Sequence, residues 1–341
     1  MLTLNHMLTY TLRRLLIAIP TVLVISLVIF MLLELAPGDP MSDVPLTIPP
    51  EVKAKMREAL GLDQPSWVRY LLWLKQFLWV EPLHMLDHFF GTAYAADLQR
   101  VVSWQTRSPV TELIAQRLPQ TLWVVGMGYL IGVSIAIPIG VLSAYRQYSW
   151  FDQLGTFVSM VGFSVPTFFT GVLLIVLFSV HLNWLPSIYD TTLVVNSWES
   201  FLKQVKQMIM PVAVLALYNA AQVSRYLRAS MLDNLNQDYV RTARAKGLTE
   251  KIVVLLHVLR NSMIPVVTVI ALGVPSIFAG AIITEQVFKV NGLGQLLINA
   301  IQSNDLPLVQ TLTFIFAVLI VAFNLLADVI YGMLDPRIRY D

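Results

Sequence analysis

The 341-residue chain has no cysteine, and only 13% of its residues are Asp, Glu, Lys or Arg, against roughly 25% in an ordinary soluble domain. The missing thiol excludes disulfides and thiolate metal ligands, though it does not fix a redox compartment. No Gly-x-x-x-x-Gly-Lys-Ser/Thr run occurs, so the chain cannot cradle nucleotide phosphates by that route. No Ser/His/Asp arrangement assembles, and no paired groups inside apolar runs suggest an intramembrane enzyme. An ion-coupled secondary transporter should show repeated halves with interrupted helices and midplane charges, and no such internal repeat is found. His84 and His88 stand at i, i+4, a ligand spacing, but without a third ligand they read as part of an aromatic helix. A net charge of +2 gives no sign of a nucleic-acid surface. No cofactor or metal is expected on this chain.

Apolar residues dominate instead, at 56%. A span of the hydrocarbon core takes about 20 of them. Leu15–Leu35, Leu122–Ala144, Leu154–Val180, Met263–Ile283 and Leu312–Leu334 qualify. Met208–Val223, bounded by Arg225, is a shorter sixth. The reading is all-α and polytopic, with six membrane helices.

Lysine and arginine orient them. With the N-terminus inside, the inner segments hold Arg13, Arg14, Arg146, seven basic residues from Arg225 to Arg260, Arg337 and Arg339. The short outer loops hold only Lys203, Lys206 and Lys289. The long stretch Ala36–Arg117 is set aside, because loops of that length cross largely regardless of charge. Both termini are expected inside. The first run is too long for a signal h-region and lacks a small-residue cleavage site, so it is expected to stay as an anchor.

The outer stretch turns at Pro37–Pro40, and Glu51–Leu60 carries a short helical pattern ended by Gly61. Trp67, Tyr70, Trp73 and Trp79 then give an amphipathic helix suited to a membrane interface. The expected division is 1–35 as N-terminus and anchor, 36–117 as outer segment, and 118–341 as a five-span core with an inner loop at 225–262.

That inner loop is over-built for a connection. Asp238 can N-cap a short helix and Gly247 can end it in the left-handed conformation, with Lys246 in the last turn, where a cation suits the helix dipole. Tyr239, Ala243 and Gly247 fall at i, i+4 and i+8, a small face that another protein could approach. Arg241 and Arg244 point away. Thr249 caps a second helix, and Pro265 opens the next apolar run.

The stretch YVRTARAKGL…HVLRNSMIP resembles the coupling loop of permease subunits in ATP-driven, binding-protein-dependent importers, in the oligopeptide/dipeptide/nickel branch. The general pattern has Glu-Ala-Ala, three residues, Gly, and later Ile-x-Leu-Pro. Here Arg241-Thr242-Ala243 and Gly247 stand in register, while His257, Leu259 and Arg260 replace Ile, Leu and Pro, with Pro265 five places on. RRLLIAIPT, GFSVPTFF, TEQVFKVNGLG and NLLADVIYGMLDPRIR are similar to the same branch. The outer stretch departs, having Phe90-Gly91-Thr92 where the family shows Gly-Asp-Leu-Gly.

The resemblance implies an importer permease fold with the first span appended to a five-span core. It implies a second, related permease subunit, two inner ATPase subunits that bind ATP and magnesium, and an outer or lipid-anchored substrate-binding protein. The ATPase-coupling residues are then Asp238, Tyr239, Arg241, Thr242, Ala243, Arg244, Gly247, His257 and Pro265. The solute-contacting residues and the solute are not readable.

Polar groups inside spans are the last signal. Asn324 and Asp328 share a face, as do Asn219 and Gln222. The expectation for Asp328 is an interhelical contact that holds the bundle. Pro166, Pro265 and Pro275 permit kinks.

Overall fold

A computed structural model describes residues 2–35, 49–51, 54, 63–279 and 281–334. The turn at Pro37–Pro40, the helix at Glu51–Leu60 with its Gly61 stop, and Arg337 and Arg339 lie outside the described residues. The described residues are nearly all helical: α1 Leu2–Glu34, α2 Ser66–Lys75, α3 Glu81–Phe90, α4 Val110–Tyr145, α5 Trp150–Ser164, α6 Thr167–His181, α7 Trp198–Leu235, α8 Asp238–Ala245, α9 Glu250–Phe278, α10 Ile282–Phe288, α11 Leu293–Gln302 and α12 Leu306–Leu334.

Among these, α1, α4, α9 and α12 are each long and apolar enough to span, and α5 with α6 makes a fifth if the bent pair is one span. Leu154–Val180 was expected as one span, with a kink permitted at Pro166. It is broken by a 104° bend. Pro166 has no N–H to offer Gly162, and it forces the residue before it out of the helical region; Val165 accordingly sits at φ −79, ψ 125. The sixth run, Met208–Val223, is the middle of the 38-residue α7, whose ends run on into polar sequence. Pro265, read as opening the next apolar run, lies inside α9.

Two compact units divide the chain: Met1–Ala18, Arg117–Gln295 and Leu319–Asp341 in one, Ile19–Gln116 and Leu296–Val318 in the other. In the first, α4 packs on α7 through small residues. A Cβ added at Gly132 would lie 2.8 Å from the Ala216 carbonyl oxygen, and one at Gly128 would lie 2.7 Å from Leu215 Cβ. Backbones come this close only where side chains are absent. Arg14 and Asp328 form a 3.1 Å ion pair between α1 and α12, in keeping with a bundle-holding role for Asp328.

In the second unit, α2 presents Tyr70 and Trp73 to Phe30 of α1, and Trp73 joins Phe77 of the π-helical turn Gln76–Val80 against Phe314 of α12. The aromatic stretch is therefore half core. Trp67 and Trp79 remain exposed. Asp305 is buried and accepts from the Ser103 hydroxyl and from the Trp104 N–H at 3.1 Å, which fastens the outer stretch to the start of α12. His84 Nε2 lies 3.0 Å from the Leu98 carbonyl oxygen.

Candidate coupling site

The inner loop begins where α7 ends. Only Asn236 and Gln237 separate α7 from α8. The cap is Gln237, in extended conformation at φ −78, ψ 152, and its side chain makes no capping bond. Asp238, expected as the cap, is instead the first helical residue, where its charge still suits the positive end of the helix dipole. Thr242 Oγ1 donates to the Asp238 carbonyl oxygen at 2.9 Å.

The far end closes as a Schellman motif. Lys246 is the C-cap rather than a last-turn residue, and Gly247 follows at φ +79. Gly247 N–H donates to the Arg244 oxygen at 3.0 Å, and Leu248 N–H to the Ala243 oxygen at 3.3 Å. A side chain at that φ is strained by its own carbonyl, so glycine suits the position.

The face of α8 with Tyr239 and Ala243, expected to meet another protein, turns inward. Ala243 and Val240 are buried with Val253, Val254 and Val258 of α9 and with Leu227 and Met231 of α7. Burying one valine contributes about 1.5–3 kcal/mol, so this short helix is held by the core beneath it. Tyr239 is half-buried, and its hydroxyl donates to Asn234 Oδ1 at 2.8 Å. Asp238, Arg241, Thr242, Arg244 and Gly247 are exposed. Arg244 reaches Glu250 through two bonds, Nη2 to Oε1 at 2.6 Å and Nε to Oε2 at 3.2 Å. Those bonds hold the guanidinium above its ordinary pKa. Thr249 occupies the cap position of α9 without a side-chain bond. His257 is half-buried in the π-helical turn Val253–Val258, and its carbonyl oxygen accepts from Asn261.

Two further features of this unit were not read from sequence. Asp152 is buried and takes a two-bond clamp from Arg228, Nε to Oδ1 at 2.6 Å and Nη2 to Oδ2 at 2.8 Å. Ser149-x-x-Asp152 is a capping-box spacing that could have marked the start of α5; the Asp152 N–H donates to Ser149 Oγ at 3.3 Å. Glu285 is buried as well. It accepts from Thr121 Oγ1 at 3.0 Å and from the Gln295 N–H at 2.9 Å, so it caps α11 from a distance. Burial pushes its carboxyl pKa up, while these N–H and O–H donors oppose the shift. A Cβ at Gly292 would fall 2.5 Å from that carboxylate, and so the turn there carries none.

Residues 136–340 match the binding-protein-dependent transport system inner membrane component family, and residues 7–125 match its N-terminal membrane-component family. The chain belongs to this permease family. It is 39% identical over 338 residues to the oligopeptide transport system permease protein AppB of Bacillus subtilis, covering 98% of this chain and 100% of that one. It is 38% identical to the dipeptide transport system permease protein DppB of Escherichia coli, with 98% and 99% covered. The glutathione transport system permease protein GsiC of Salmonella typhimurium is also 38% identical, with 98% and 100% covered.

The permease is thus an inner-membrane component of a binding-protein-dependent transport system, and an ion-coupled secondary transporter is excluded as its class. The family match runs from α4 almost to the C-terminus and includes α8 and both of its flanks. As such a component, the permease works with a substrate-binding protein and with further subunits, and it is not itself an enzyme.

Proposed function

We propose that the permease forms half of the membrane path of an ATP-driven importer for peptides or related small solutes, paired with a second, related permease. Two ATPase subunits, which bind ATP and magnesium, dock inside on α8, and a substrate-binding protein delivers solute outside. Residues 118–341 form the five-span core, 36–117 the outer segment, and both termini face the cytoplasm. The coupling residues are Asp238, Arg241, Thr242 and Arg244 on the outer face of α8, and Gly247 at its end. Tyr239 and Ala243 seat the helix, and His257 and Pro265 complete the coupling set on the α9 side of the loop.

One observation carries this reading: a short helix buried along one side, polar along the other, and joined by two residues to the long α7. Such an element hands on displacement instead of absorbing it. ATP binding draws the ATPases together and moves α8, and the bundle then changes between two states that favour opposite openings. The peptide class is taken from the relatives' names.

Topology is tested with single cysteines, reported cleanly by a chain that has none of its own. Val194 is 72% exposed and lies before the Ser197 cap of α7. Val194→Cys is expected to react with an impermeant thiol reagent in intact cells, and Thr249→Cys only after the inner membrane is opened. Labelling of Thr249→Cys from outside would overturn the orientation.

Partner dependence is tested on the purified chain. Alone, it is expected to insert without hydrolysing ATP or concentrating solute. Robust ATPase activity of the single chain, free of contaminants, sinks the subunit reading.

A further inference from the structure

Arg225 closes the sixth apolar run in the sequence, where it reads as an inner-loop charge. Its side chain goes elsewhere. Helices α5 and α7 pack antiparallel in a clear register. Asp152 meets Arg228, Ser159 Oγ lies 3.4 Å from Ser224 Oγ, and a Cβ on Gly162 would touch Ala221 and Leu217 at 3.4 Å. Phe163 stacks on Tyr218, with ring centroids 5.9 Å apart and planes at 14°. Phe163 of α5 is therefore level with Tyr218, about two turns N-terminal of Arg225 along α7. Arg225 Cζ nevertheless sits over the Phe163 ring, 5.5 Å from its centroid. Side chains leave a helix tilted toward its N-terminus, and Arg225 extends that tilt, carrying its charge back into the span.

Two further facts bear on what this charge faces. Tyr218, Gln222 and Arg225 stand at i, i+4 and i+7, none of them buried, and together they form one polar stripe on α7. Among the described residues, no carboxylate pairs with Arg225, and neither the Tyr218 hydroxyl nor the Gln222 amide has a hydrogen-bond partner. Two residues beyond Phe163, the backbone breaks at Val165–Pro166 with the 104° bend. Backbone that leaves the helix at membrane depth survives only where protein buries it or water lines it. A cation inside a span likewise requires an acidic partner or an aqueous cavity.

A groove of about 770 Å³ between α4, α5 and α7 is a poorer candidate for a charged solute. Its lining is almost wholly apolar, with Trp123, Met127, Ile131, Val158, Met208 and Val212 among it.

We propose that the Tyr218–Gln222–Arg225 stripe, beside the broken span, lines the water-filled solute route and that Arg225 receives the carboxylate of the passing solute there. Peptides carry such a group at one end. Phe163 holds the guanidinium from its apolar side through a cation–π contact and leaves its N–H groups for the solute. The attraction is screened by water and made by one cation, so it draws an anion in without trapping it.

The inference rests on the importer reading, and its test does not need the solute. Gln222→Cys is made in the chain and assembled with its permease, ATPase and binding-protein partners. Reaction rates are measured, with and without ATP, for two thiosulfonate reagents of similar size, one an anionic sulfonate and one a trimethylammonium cation. The thiol is expected to react in at least one nucleotide state, about tenfold faster with the anion, as befits a cleft lined by one sign of charge. Adding Arg225→Gln is expected to remove that preference. No reaction with either reagent in either state means that protein or lipid covers the stripe, and overturns the proposal. Reaction without a preference for the anion, as when a partner's carboxylate already neutralises Arg225, also overturns it. Co-purification of the ATPase subunits with Gln222→Cys reads the importer assignment separately.

Discussion

Gly247→Asp inserts into the membrane at a near-normal level and loses coupled uptake. The glycine holds φ +79 at the close of α8, and no heavy atom lies within 4 Å of where a Cβ would stand. The cost inside the chain is therefore conformational, about 1–2 kcal/mol for an L-residue in the left-handed region. Aspartate adds a negative charge at the negative end of a helix dipole, roughly 0.3–1 kcal/mol more. Neither penalty touches a membrane span. Both loosen the two Schellman bonds that set the exposed edge of α8 against its partner. Asparagine has nearly the same size, tolerates the left-handed region and carries no charge, so Gly247→Asn is expected to keep most of the uptake. Uptake is measured beside ATP hydrolysis and co-purification of the ATPases at equal expression. Normal transport by Gly247→Asp removes the coupling assignment.

Arg228→Met lowers the melting temperature of the solubilised permease complex more than any exposed change in the loop. The Asp152 side chain is 4% exposed, and Arg228 supplies the two bonds that compensate its charge. Removing one partner of a buried pair leaves the other charge unpaired, at about 3–5 kcal/mol. Replacing both, as Asp152→Leu with Arg228→Met, is expected to restore most of that loss, since two packed apolar groups no longer need each other's charge. A melting curve for Arg228→Met that overlays the wild type would show that the pair is not compensating a buried charge.

Features set by neighbouring residues were the legible ones. Gly247 could be placed because a helix stop is decided within a few positions, whereas its start was misplaced by one, from Gln237 to Asp238, because both can stand at a first turn. Pro166 signalled a kink, but its size depends on what packs around it. The sixth span read short because α7 carries a modest apolar window inside a helix with polar ends. Contacts distant in the chain left little local trace. Glu285 caps a helix ten residues on with help from Thr121, and the partners Asp152 and Arg228 stand 76 positions apart. The inward turn of Ala243 was missed because a small face is equally fit for a partner or for a valine cluster of the same chain.

At about 1.5 Å per residue, the 38 residues of α7 make a rod roughly 57 Å long. A rod magnifies angle into distance: a tilt of ~10° carries one end about 10 Å relative to the other. The weak point is Pro211, buried within the rod, where a backbone bond is lost. Below it, Arg228 rivets the rod to α5, so a thrust arriving at Asp238 reaches the bend at Pro166 through two helices that turn together. The pivot is then nearer Pro211 than the loop, so the stripe beside it turns through a short arc while the α8 end of the rod travels furthest.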